Sequence, residues 1–175
     1  MTDGRWPRAG APVRPEAEAD AVYLVFAQRT DARVDIEAWS SHAERFFATR
    51  LGLAEERRYP AGTPAPRVDR VRFVVSPVGA SRDEMGIREA SARPRDDEDL
   101  TRAEAAEGAA SGLALLARRC PTVWLVTRES DDDRLALRLA TVLASTLLGP
   151  ILDPRRAVLF GAKTARAKLS LLSDP

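Results

Sequence analysis

Cysteine, histidine and lysine are nearly missing from this sequence. Its 175 residues hold one cysteine, Cys120, one histidine, His42, and two lysines, Lys163 and Lys168, so 25 of its 27 basic residues are arginines. A lone cysteine cannot close an internal disulfide or build a multi-cysteine zinc site. Charge of one sign is also lacking: 27 basic against 26 acidic residues leave a net charge of +1. No net field draws the chain toward nucleic acid or an anionic membrane, and nucleic-acid binding is not expected. Long apolar runs are missing too. The most apolar segment, 135–148, is interrupted by Arg138 and falls short of the roughly 20 apolar residues that cross a bilayer. Residues 1–20 lack the continuous apolar stretch of a secretory signal and read as a disordered tail. The lone thiol and this start together predict a reducing cytoplasm.

What is present suffices for a folded domain, since a chain of about 150 residues already buries roughly 70% of its extended surface. Residues 21–26 form an apolar run rich in β-branched and aromatic side chains, predicted as a strand covered on both faces. Asp35 is placed to cap a helix whose apolar face carries Ile36, Trp39, Ala43, Phe46 and Phe47, with Gly52 as its stop. Prolines at 60, 64 and 66 with Gly62 predict a loop, and 68–75 a second strand.

Residues 76–99 read as one long charged loop. The spacing of Thr101 and Glu104 fits a capping box opening a helix toward Arg118 and Arg119. Residues 122–126 then form a third strand. The run Asp131-Asp132-Asp133 opens a largely buried helix ended by Gly149-Pro150, and 151–160 reads as a hairpin before a last helix over 164–172. Strands alternating with helices predict an α/β domain over 21–175, with α+β a close competitor. Its expected sheet is mixed and mostly parallel, of about five strands, flanked by helices in a three-layer-like arrangement and closed by a C-terminal hairpin.

No segment carries a catalytic, metal or nucleic-acid signature, so candidates come one at a time. The loop expected over 76–99 holds Arg82, Arg88, Arg93 and Arg95, a dense mixture of both signs suited to a complementary protein partner. The three aspartates could offer hard oxygen ligands to Mg²⁺, but a helix start looks the same. Gly161-Ala162-Lys163-Thr164 joins a strand to a helix, where a phosphate could be received, although Arg156 and Ala162 occupy the glycine positions of a Walker loop.

His42 sits at the edge of its apolar helix face, and neighbouring Ser40 and Ser41 do not face it in a helix. Cys120 follows two arginines, which could activate its thiol, yet it serves equally as a small apolar filler. Trp6, flanked by Arg5, Pro7 and Arg8, is a candidate linear motif. The expectation is therefore a non-catalytic interaction or regulatory domain, adaptor or inhibitor in type, without cofactor or metal, binding another protein through the four arginines. The alternative is a small-molecule or nucleotide-binding enzyme with Arg128, Asp131, Lys163 and Thr164 at the strand carboxyl ends.

Overall fold

The structure, a computed structural model, describes residues 21–56, 69–107 and 111–172. The expected tail over 1–20, the Trp6 motif and most of the proline-rich loop lie outside these residues. Chain order is β1 (Val22–Ala27), α1 (Ile36–Phe47), β2 (Thr49–Leu53), β3 (Asp69–Pro77), a 3₁₀ turn (Arg82–Glu84), β4 (Gly86–Pro94), α2 (Asp97–Ala106), α3 (Leu113–Arg118), β5 (Thr122–Thr127), α4 (Arg134–Leu147), β6 (Ile151–Asp153), β7 (Val158–Phe160) and α5 (Ala162–Leu171).

The strands form one seven-stranded sheet in the order β2-β3-β4-β5-β1-β6-β7. Every neighbouring pair is antiparallel, which overturns the expected mostly parallel sheet of about five strands. The error lies in equating direction with adjacency. The α4 crossover joins β5 to β6, which do run the same way, but β1 is inserted between them and pairs with both. The α1 crossover likewise joins β1 to β2, four places along the sheet and in the same direction.

Two strands had no readable signal. β2 starts one residue after α1, because Ala48 takes a left-handed φ of 45° and turns the chain there instead of at Gly52. β4 runs through the segment expected to be a loop. Its inward side carries Arg88, Ala90 and Ala92 and its outward side Ile87, Glu89, Ser91 and Arg93, so the usual apolar alternation is absent. The acidic run at 96–99 is the start of α2: Asp96 and Asp99 form the capping box, five residues before the expected one.

Alternate residues of the strands feed two cores. On one face Tyr23, Val25, Phe73, Val75, Ala90 and Trp124 pack against α1, α4 and α5, with Trp39 edge-on to Trp124 at 6.0 Å. On the other face Val22, Leu24, Phe26, Val123 and Leu159 pack against α2 and α3. Burying each large side chain contributes about 1.5–3 kcal/mol. Gly149, beyond the end of α4, passes so close under β1 that a Cβ would overlap the Phe26 carbonyl. This approach lets Phe26 N donate to Pro150 O at 3.0 Å and carry the chain into β6.

Candidate functional site

The four arginines expected to meet a partner are not gathered on one surface. Arg88 points inward from β4, where Nε donates to Asp133 Oδ2 at 2.7 Å and Nη2 to Asp133 Oδ1 at 3.0 Å. Arg93 points to the other face and grips Asp99 in the same two-pronged way, at 2.6 and 2.8 Å. Arg95 donates to the carbonyls of Ala117 and Arg118 at the end of α3. Neither Arg95 nor Arg82, which lies in the exposed 3₁₀ turn, makes an ion pair among the described residues. Pairing thus neutralises two of the four, Arg88 and Arg93, on opposite faces of the sheet.

A cleft of about 230 Å³ opens at the carboxyl ends of β5 and β6. Tyr23 of β1, Leu137 of α4, Phe160 of β7, and Leu171 and Leu172 of the α5 terminus supply its apolar lining. Its polar rim comes from the β5–α4 connection, the β6–β7 turn and α5. Beneath it, Arg128 and Asp153 form an ion pair of 2.8 Å whose side chains are 2% and 4% exposed. The Arg128 guanidinium lies 4.3 Å over the Tyr23 ring and donates to the Asp131 carbonyl at 3.0 Å. Arg128 therefore builds the floor, and Asp131 stands on the rim.

The aspartate run does not converge on a metal. Asp131 pairs with Arg155, Asp132 with Arg156 at 3.2 Å, and Asp133 with Arg88 while capping α4 through Ala136 N at 3.0 Å. Among the described residues no group of three metal-ligating side chains comes together. With Asp153 held by Arg128, each of the four carboxylates at the cleft has its own guanidinium. Two cations are left over: Arg134 and Lys168 line the cleft and make no ion pair among the described residues.

Burial pushes the Lys168 ammonium below its ordinary range, although the Asp153 charge opposes the shift, and the group lies 4.0 Å over the Phe160 ring. Burial also raises Tyr23 above its ordinary value, so it presents a neutral hydroxyl. Lys163 and Thr164 are elsewhere. β7 leads away from the Asp153 end of the hairpin, so α5 starts on the far side and leaves both residues exposed on its first turn. Only its last turns reach the cleft, which makes Lys168 the residue that sequence reasoning missed; its place beside the Ala165 and Leu169 stripe was the available signal.

The remaining candidates serve the fold. His42 Nε2 and Ser145 Oγ share a 2.7 Å hydrogen bond between α1 and α4, and burial lowers the imidazole pKa. Cys120 is buried, donates to Leu116 O at 3.3 Å, and burial lifts its thiol to about 11 against the pull of Arg95. No helix among the described residues is long and apolar enough to cross a membrane. No family model matches the chain, and neither a curated protein nor a solved structure is significantly similar to it.

Proposed function

We propose that the chain is a non-catalytic, regulatory binding domain that seats a small organic carboxylate in the cleft between β1, β7, α4 and α5. The observation that carries this reading is the charge balance of the lining: four aspartates each neutralised by its own arginine, with Lys168 and Arg134 left without a carboxylate beside an apolar wall. A ligand with an apolar body and one negative end satisfies both features. Half-burial strengthens the case, because a desolvated ammonium gains more from a counter-ion than one in water.

The lining argues for binding over turnover. It contains no histidine, cysteine, serine or threonine, Tyr23 is held protonated, and Asp133 and Asp153 are each locked to an arginine. The protein-partner reading shifts accordingly, from the arginines of 82–95 to this cleft as the regulated element.

The experiment is a calorimetric titration with benzoate and hexanoate at constant ionic strength, repeated on Lys168→Met and Arg134→Gln. Saturable binding by the parent chain, weakened about tenfold or more by Lys168→Met, is expected, as for loss of one charge-assisted hydrogen bond. Both acids failing to bind, or binding unchanged by Lys168→Met, would overturn the reading.

A further inference from the structure

On the opposite side of α5 from the cleft lies a second hollow, of about 390 Å³, framed by the end of α1, the middle of α4 and the middle of α5. Three arginines line it: Arg45 of α1, Arg138 of α4 and Arg166 of α5. None of them is in an ion pair among the described residues, in a chain whose other arginines are extensively matched to carboxylates. Glu44 is at the same hollow and is within ion-pair distance of none of them.

Arg138 is the informative member. It is half-buried, and both of its hydrogen bonds leave from Nη1, to Thr49 Oγ1 at 3.0 Å and to Phe47 O at 3.4 Å. Nε and Nη2 have no hydrogen-bond acceptor among the described residues. Burial and the neighbouring Arg134 both disfavour its charge, with only Glu84 acting the other way. Folding alone does not call for a half-buried guanidinium without a counter-ion, since the cost of removing it from water is not offset by a carboxylate.

We infer that this hollow is a binding site for the phosphate group of a small phosphorylated molecule. Guanidinium forks match phosphate oxygens in pairs, and three cations around a dianion restore the balance that Glu44 does not supply. A concave hollow of this size suits a small molecule, whereas a polyanion would need an extended basic face. The site is separate from the carboxylate cleft and does not depend on it.

The test is a calorimetric titration of the full chain with inorganic phosphate at constant ionic strength. The variants are Arg166→Gln, Arg45→Gln and Arg138→Gln, with Lys163→Gln outside the hollow. Saturable binding is expected, weakened about tenfold by Arg166→Gln or Arg45→Gln and changed less than about twofold by Lys163→Gln. Arg166 and Arg45 are exposed, so they carry the test if Arg138→Gln fails to fold. No saturable binding, or equal weakening by Lys163→Gln together with steeply salt-dependent binding of duplex DNA, would replace the site by a diffuse basic face and overturn the inference.

Discussion

Replacing Asp133 by alanine tests how far the internal pairing of arginines supports this fold. The Asp133 side chain is 2% exposed and Arg88 11%, so the pair is shielded from solvent. Removing the carboxylate deletes the α4 cap at Ala136 N, worth about 1 kcal/mol. It also strands the Arg88 guanidinium, and breaking a buried pair costs about 3–5 kcal/mol. The lower end of that range applies, because Arg88 keeps Glu129 at 3.2 Å, a carboxylate that is 72% exposed and therefore a weak partner.

Asp133→Ala should thus lose about 4 kcal/mol, a large share of the 5–15 kcal/mol typical of a domain. Arg88→Met should lose only about 2 kcal/mol, since Asp133 retains the amides of Glu129 and Ala136. Urea unfolding followed by the fluorescence of core Trp39 and Trp124 measures both. Burial works to raise the Asp133 carboxyl, but Arg88 and the two amides outweigh it and hold it below its ordinary 3.8. That stability is present above the ordinary value and is lost as pH falls through the lower native one, so Asp133→Asn should flatten the acid limb. A loss below about 1 kcal/mol for Asp133→Ala, with unchanged slope, would refute the buried pairing and return Arg88 to the surface.

Three further outcomes follow from the packing. Cys120, with its thiol at about 11, should resist iodoacetamide at neutral pH in the folded chain and react at once in denaturant; fast labelling of native protein would refute the buried-filler role. Gly149→Ala should cost about 3 kcal/mol or more, because the new methyl meets the backbone carbonyl of Phe26 and neither strand nor turn can yield; a thermal melt unchanged from the parent would show that they can. The His42 pKa lies below its ordinary 6.5, so the neutral form is favoured in the fold and stability falls as pH drops through 6.5 toward the native value. His42→Gln should remove that slope, and a parent chain equally stable at about pH 5 and 7 would contradict it.

The sequence was informative where apolar residues run together or recur on one helix face. β1, β5 and α4 are legible for that reason, and the C-terminal hairpin is legible from its turn residues. β4 was not, because its inward positions hold alanines and an arginine, which look like a polar loop until the partner across the core is known. That partner, Asp133, is 45 residues away, and Asp153 lies 25 residues from Arg128; charge is visible in a sequence, but pairing at such distances is not. Arg93 and Asp99, six apart, were within local reach. The cleft opens at the strand carboxyl ends, whereas Gly161-Ala162-Lys163-Thr164 lies at the other end of α5.

The insertion of β1 between β5 and β6 also sets the order in which the molecule can assemble. β1 is the first strand among the described residues, yet it pairs Val22 with Thr127 and Leu24 with Leu152, more than a hundred residues later. During synthesis β2, β3 and β4 can pair with one another once β4 has emerged, whereas β1 must wait for β5 and β6. Until then its six consecutive buried residues, Val22 to Ala27, are an unpaired apolar edge, the kind of surface that chaperones retain and neighbouring nascent chains capture.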